Sequence, residues 1–211
     1  MKAILCSIGI LFAVHCFSQT FNASQIRMHW KDKHQDPYAT FSYLLKDYPN
    51  LKFITNGGVL TKSLKPSGLY IENGKVISPV KLVQNTKVAY GIQPTGVFYI
   101  TPTGAFIKPT TQKIKYKNII YAIQGGPLLL INEKVNASLP NGKRLMRNGV
   151  GIKKDGRVYF AILEMSYRGF AQHFKEQGCI NAVSLSEGEA EVWEEQSSKT
   201  YHSFGPMISA E

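Results

Sequence analysis

The stretch Gly68-Leu69-Tyr70-Ile71-Glu72-Asn73-Gly74-Lys75-Val76-Ile77-Ser78 sets two short β-rich runs on either side of an Asn-Gly pair. Asn-Gly accepts the positive φ angles of a two-residue hairpin turn, so the spacing predicts antiparallel strands over 68–72 and 76–78. Moving outward, similar runs occupy 51–55, 87–90, 97–101, 119–124, 128–131 and 158–163, and Thr103-Gly104, Asn141-Gly142 and Asp155-Gly156 mark further reversals. The region from 51 to 160 therefore reads as a largely antiparallel sheet built from hairpins.

Two helices flank this region. Asp36-Pro37 has the chemistry of a helix start, and Tyr38, Phe41, Leu44 and Leu45 follow at helical spacing until Pro49. Ser166 can cap a second helix carrying Phe170, Ala171 and Phe174 on one face, and Gly178 suits its end. Cys179 to Leu185 then reads as a buried strand, followed by the acidic run Ser186-Glu187-Gly188-Glu189-Ala190-Glu191. The expected class is α+β: mostly antiparallel β-sheet built from hairpins, with two main amphipathic helices and no repeat or internal linker.

At the N-terminus, Lys2 precedes an apolar run from Ile4 to Val14, too short for a bilayer span and of the length of a signal peptide. Small residues at Cys16 and Ser18 place the expected cut after Ser18, giving a signal peptide over 1–18 and one domain over 19–211. The competing reading, lipoprotein processing at Cys16, has bulky His15 where Gly or Ala is usual. Export to the periplasm or the medium follows, with no stable membrane span after the signal is removed. Cys179 is then the single cysteine left, so a hydrophobic core and not disulfides must stabilise the domain. With 44% hydrophobic and 11% aromatic residues, the composition supports such a core.

The formal net charge of +11 favours an anionic partner. The lysines are spread along the chain, densest at Lys108, Lys113, Lys115 and Lys117, with no aromatic stacking signature beside them. Nucleic-acid binding is accordingly not expected. The histidines His29, His34, His173 and His202 show no metal-ligand spacing, and no Gly-x-Ser-x-Gly elbow is present. Cys179 reads as a small apolar group, and Glu189, Glu191, Glu194 and Glu195 as a solvated face. No metal or cofactor is implied.

Three glycine-bearing segments adjoin expected strands: Asn56-Gly57-Gly58, Gln124-Gly125-Gly126-Pro127 and Arg147-Asn148-Gly149-Val150-Gly151. Each can be a simple turn, or a place where backbone amides approach a ligand. Taken in order with 65–75, 96–100, Asp155-Gly156-Arg157-Val158 and Cys179-Ile180-Asn181-Ala182-Val183-Ser184-Leu185, they resemble the phosphodiester glycosidase family over roughly residues 50–193. That family includes the lysosomal uncovering enzyme, an N-acetylglucosamine-1-phosphodiester α-N-acetylglucosaminidase.

The resemblance implies hydrolysis of a sugar-1-phosphodiester at the anomeric carbon, with a phosphorylated glycan or sugar phosphate as substrate. Phosphate is a weakly basic leaving group, so a strong general acid matters less than in ordinary glycoside hydrolysis. Arg147 suits a bidentate grip on phosphate. Amides of Gly57, Gly58, Gly125 and Gly126 suit preorganised donors, with Gln124 in the same loop, and Asn56 and Asn148 suit sugar hydroxyls.

The chain departs from the family in its last motif. Where relatives carry Asn-Ala-Leu-x-Leu-Asp-Gly-Gly, this sequence has Asn181-Ala182-Val183-Ser184-Leu185-Ser186-Glu187-Gly188. Ser186 stands in the place of the aspartate and cannot supply its charge. Either Glu187 takes over as the catalytic carboxylate, which requires the strand to end by Ser186, or the domain binds phosphoglycan without cleaving it. The site so drawn requires Arg147 and Glu187 to converge on one cleft with the Gly125-Gly126 loop.

Overall fold

The computed structural model describes residues 17–58, 61, 63, 65–82, 91–187, 190, 192–194 and 205–211. Three sheets organise them, and every strand pairing among the described residues is antiparallel. One sheet has six strands in the order β1 (Phe17–Phe21), β12 (Val158–Met165), β11 (Leu145–Lys153), β13 (Cys179–Glu187), β9 (Leu128–Ile131) and β10 (Lys134–Val135). A second runs β14 (Val192–Glu194), β3 (Phe53–Asn56), β15 (Met207–Ala210), β2 (Ile26–His29). The third runs β5 (Lys75–Ser78), β4 (Tyr70–Glu72), β8 (Tyr121–Gly125), β6 (Gly96–Thr101), β7 (Gly104–Pro109).

The Asn73-Gly74 reversal joins β4 to β5, with both residues at positive φ, 51° and 78°. That geometry matches the right-handed twist of the flanking strands and explains why this dipeptide sits there. Alternation along β4 then divides its side chains: Tyr70 enters the core between the sheets, and Ile71 packs on the sheet's other face.

All three sheets feed one apolar core. Phe53 of β3 lies 5.0 Å from Phe160 of β12 and 5.2 Å from Phe21 of β1, ring centre to ring centre, while Phe98 of β6 meets Phe160 edge-on at 6.2 Å. Burial of each such ring contributes about 2–3 kcal/mol. Among the described residues no cysteine bridge is involved, and Cys179 is a buried free thiol.

The second helix, α2 (Tyr167–Glu176), covers the far side of the six-stranded sheet. Ser166 Oγ accepts from the Gly169 amide at 3.2 Å, and Gly178 adopts φ 78° just past the helix end, so the expected start and stop signals are both used. Phe170 and Phe174 press on β11 where it carries Gly149 and Gly151. A Cβ at Gly149 would stand 2.8 Å from Phe170, and one at Gly151 would stand 2.7 Å from Phe174. These two glycines are thus seats for the helix.

The first helix, α1 (Phe41–Asp47), begins later than Asp36-Pro37 predicts. Asp32 Oδ1 accepts from the amides of His34 and Asp36, at 2.8 and 2.9 Å, and Lys31 pairs with Pro37 as an isolated bridge. This local turn captures the Asp36-Pro37 signal, and Thr40 caps the helix instead, its Oγ1 accepting from the Tyr43 amide. Other departures follow from context. Asn141-Gly142 lies in the connection from β10 to β11 and closes no tight hairpin. The segments 17–21, 26–29, 104–109, 134–135, 145–153, 192–194 and 207–210 are strands beyond those expected from the sequence, and β13 extends through Glu187. The expected strand over 87–90 lies outside the described residues.

The expected cut after Ser18 falls within β1. Phe17 pairs with Ile162 and stacks on Phe53 at 5.2 Å, so cleavage there removes that ring and leaves Gln19, Thr20 and Phe21 on β12.

Candidate functional site

Alternation along β11 sends neighbouring residues to opposite sides. Asn148 pairs with Ile162, a residue of the core between the sheets, whereas Arg147 pairs with Leu163, which packs with α2.

On the inner side, Asn148 is fully buried and reaches across to β3. Its Nδ2 donates to Thr55 Oγ1 at 2.7 Å and to the Asn56 carbonyl at 2.6 Å. On the neighbouring strand Ser186 stands directly opposite Asn148, and Asn56 Nδ2 donates to Ser186 Oγ at 3.5 Å. A register shift between Asn148 and Gly149 brings Ser184 into the same neighbourhood, where its hydroxyl donates to the Asn148 carbonyl at 3.4 Å. Asn56, Asn148 and Ser186 therefore form one polar cluster where β3, β11 and β13 meet. Asn148 Oδ1 is a buried acceptor with no hydrogen-bond partner among the described residues. Amides and hydroxyls in this arrangement suit the hydroxyls of a sugar, since each can donate and accept without a charge.

On the outer side, Arg147 is 2% exposed. Nε donates to the Met165 carbonyl at 2.7 Å and Nη2 to the Lys143 carbonyl at 3.2 Å, while the guanidinium lies 3.5 Å from the Tyr167 ring centre. The expected convergence of Arg147 with the Gly125-Gly126 loop is not met: these contacts hold the guanidinium on the α2 side of the sheet. Glu187 is the register partner of Arg147 and the last residue of β13. The strand does not end by Ser186, so the early turn that would bring Glu187 round to the Ser186 side is absent from the backbone.

The glycine segments serve close packing. The Gly57 amide donates to the Pro206 carbonyl at 3.1 Å and the Gly126 amide to the Ser184 carbonyl at 2.8 Å, so neither is an open donor as expected. At Gly125 β8 approaches β13 so closely that a Cβ there would collide with the Ser184 carbonyl oxygen. Gly58 follows β3 at the same end, close to Ile123. Gln124 is also internal. Its Oε1 accepts from the amides of Leu69 and Lys81, and its Nε2 donates to the Lys81 carbonyl at 2.6 Å, which ties residue 81 to β8. The loop thus brings Gly125 and Gly126 beside Ser184 and next to the polar cluster, with Gln124 turned to the backbone.

Two participants escaped the sequence reading, Thr55 and Ser184. Thr55 adjoins Asn56 in an alternating strand and carried no motif of its own. Ser184 lay inside a quoted motif, yet only the register shift places it beside Asn148.

His29, His173 and Cys179 make their contacts outside this cluster. His29 of β2 is buried, shares a 2.8 Å hydrogen bond with Ser209 Oγ, and is pushed down to about 4 by burial and by Arg27. Burial also lowers His173, which hydrogen-bonds Tyr159, and pushes the Cys179 thiol up to about 12, where it is unreactive. Among the described residues no group of three or more His, Cys, Asp or Glu is placed to hold a metal, and no helix is long and apolar enough to cross a membrane.

Comparison with known proteins gives this geometry a setting. The chain is 30% identical over 178 residues to an uncharacterised protein of Escherichia coli K12, YigE, spanning 82% of this chain and 68% of that one. Its fold is similar to the catalytic domain of zebrafish N-acetylglucosamine-1-phosphodiester α-N-acetylglucosaminidase, solved auto-inhibited by its pro-peptide, with a TM-score of 0.66 at 12% identity over 92% of this chain and 83% of that one. A hypothetical protein from Synechocystis matches with a TM-score of 0.62 at 10% identity, over 92% of this chain and 58% of that one. The model of the phosphodiester glycosidase family matches residues 49–188, and the chain belongs to that family.

Proposed function

We propose that this protein is an exported hydrolase that cleaves a sugar-1-phosphodiester at the anomeric carbon, with the sugar held by Asn56, Asn148 and Ser186. The observation that carries this reading is the meeting of those three side chains at the junction of β3, β11 and β13, in a chain of the phosphodiester glycosidase family. In the reaction, water adds to the anomeric carbon as the bond from that carbon to the phosphate oxygen breaks. The sugar leaves with a free anomeric hydroxyl, the phosphate stays on its acceptor as a monoester, and the second proton of water passes to the phosphate or to solvent. Amide and hydroxyl groups around the sugar orient it for that displacement.

A second reading has one specific observation in its favour. A neutral hydroxyl, Ser186 Oγ, stands 3.5 Å from Asn56 Nδ2 where the resemblance implies a carboxylate, and β13 continues through Glu187. A hydroxyl does not stabilise a cationic sugar as a carboxylate does. On this reading the domain retains phosphoglycan binding with catalysis impaired.

One experiment separates the two. The purified protein is incubated with a panel of glycosyl phosphodiesters, including the methyl phosphodiester of N-acetylglucosamine, and both sugar release and binding heat are measured. Release above the buffer rate is expected for the hydrolase, and it rises in the Ser186→Asp, Glu187→Gly double variant. Binding without release, restored to turnover by the double variant, selects the second reading; neither binding nor release sinks both. For export, N-terminal sequencing of the mature protein is expected to begin at Gln19, and a cytoplasmic protein retaining Met1 refutes it.

A further inference from the structure

The five-stranded sheet carries a surface that the glycosidase reading leaves unused. Residues 65–125 contain all five of its strands and hold eight lysines against one acidic residue, Glu72, which is most of the chain's net charge of +11. The outer face of this sheet presents Ile71, Val97, Tyr99 and Ala122, and the segment 110–119 lays Ile114 and Ile119 over them. Between that segment and residues 80–82 runs a groove of about 360 Å³, lined by Val80, Leu82, Lys113, Ile114 and Tyr116 among others.

Two observations show that this is more than a charged surface. First, apolar groups are exposed together: Leu82 is 66% exposed and Tyr116 39%, with Val76, Ile77, Val80 and Phe106 also open to solvent. Six of the seven large exposed hydrophobic residues among the described ones belong to this unit, and three of them, Val80, Leu82 and Tyr116, line the one groove. Second, the apolar rim is held in place. Gln124 binds both backbone groups of Lys81, which anchors the residue preceding Leu82 to β8. Lys113 lines the same groove, and Lys108, Lys115 and Lys117 of the flanking β7 and 110–119 segments are exposed.

The chemistry of this surface selects its partner. A soluble anion needs the lysines but not the exposed aliphatics. A polysaccharide or nucleic acid stacks on open ring faces, and branched aliphatic side chains do not provide them. Valine, isoleucine and leucine beside an exposed tyrosine, in a segment dense in exposed lysines, match the interface of an anionic bilayer. There the aliphatic groups enter the acyl boundary, the tyrosine ring lies at the headgroups, and the ammonium groups meet lipid phosphates. We propose that this face of the five-stranded sheet docks the protein peripherally on anionic phospholipid membranes, independently of its glycosidase activity.

Flotation of the full-length mature protein with phosphatidylglycerol/phosphatidylethanolamine vesicles tests the proposal, with phosphatidylcholine vesicles and soluble dextran sulfate as comparison partners. Expected is partition to the anionic vesicles that drops about tenfold or more between roughly 50 mM and roughly 500 mM salt. Replacing Lys113, Lys115 and Lys117 by Gln is expected to weaken partition by roughly a hundredfold, and Leu82→Ser with Tyr116→Ser by about tenfold. These side chains are exposed, and an unchanged melting temperature confirms that the variants fold. Absence of partition at low salt overturns the proposal, as does partition that neither set of substitutions alters. Retention by dextran sulfate that the lysine substitutions abolish and the Leu82, Tyr116 pair leaves intact, with the same pattern on vesicles, overturns it in favour of an anionic polymer.

Discussion

The two sides of β11 do opposite jobs with neighbouring residues. Asn148 turns inward and ties β11 to β3 through Thr55 and Asn56, beside Ser186. Arg147, one position earlier, turns outward to Met165, Lys143 and the Tyr167 ring beneath α2. The difference teaches that a chemically attractive dipeptide cannot be assigned as a unit within a strand. A guanidinium and a carboxamide adjacent in sequence serve two separate layers, one building the floor of a polar cluster and the other fastening the helix side.

Arg147→Ala gives the strongest test of that division. It removes donors from two backbone carbonyls and leaves the Tyr167 ring without its cation, which costs about 3–4 kcal/mol. For a domain of this size the melting temperature is expected to fall by roughly 10 °C. At temperatures where the variant is folded, binding of the sugar phosphodiester should be near that of the wild type. A variant that melts like the wild type but no longer binds phosphodiester breaks the comparison, and makes Arg147 the phosphate ligand that the sequence suggested.

Asn148→Ala probes the other side, with a smaller effect on stability and a larger one on the ligand. Thr55 Oγ1 and the Asn56 carbonyl lose a shared donor in a buried setting, a cost of about 2 kcal/mol readable by denaturant titration. Affinity for the sugar phosphodiester is expected to fall about tenfold, because the carboxamide both positions Asn56 and lies at the site itself. An unchanged affinity in a destabilised variant would leave Asn148 a purely architectural tie.

Much of the fold was legible because its signals are local. Asn73-Gly74 demands positive φ, the apolar run 128–131 is a complete buried strand, and Ser166 with Gly178 brackets α2. Signals failed where a nearby group captured them. Asp36-Pro37 has the chemistry of a helix start, but Asp32 binds the Asp36 amide and moves the cap to Thr40. Short strands such as β14 and β15 carry few residues and take their stability from β3, with which both pair, so nothing within their own sequence announces them. The site was half legible for the same reason. Asn56, Asn148 and Ser186 were named individually, but their meeting depends on the registers of three strands and on the shift at Asn148/Gly149. That Arg147 and Asn148 part company follows from strand alternation, and became readable only once residues 145–153 were known to be one continuous strand.

The smallest expected effect concerns how closely the helix side depends on β11 having no side chain. An Ala at Gly149 places its Cβ 2.8 Å from Phe170 Cε1 and 3.1 Å from Cζ, so the ring must move, whereas the β backbone there accepts alanine readily. Overpacking by one methyl against a ring that can shift costs about 1–2 kcal/mol, offset by a few tenths from the reduced freedom of the unfolded chain. The strain and the ring are in contact, so their effects should couple: Phe170→Leu alone leaves a void and destabilises, but combined with Gly149→Ala it should cost less than the two single changes together. A double-mutant cycle by denaturant titration reads that coupling directly. Additive costs would mean that the methyl is accommodated by strand movement instead. In that case Asn148, on the adjacent residue, should feel the change, and phosphodiester affinity should weaken with it.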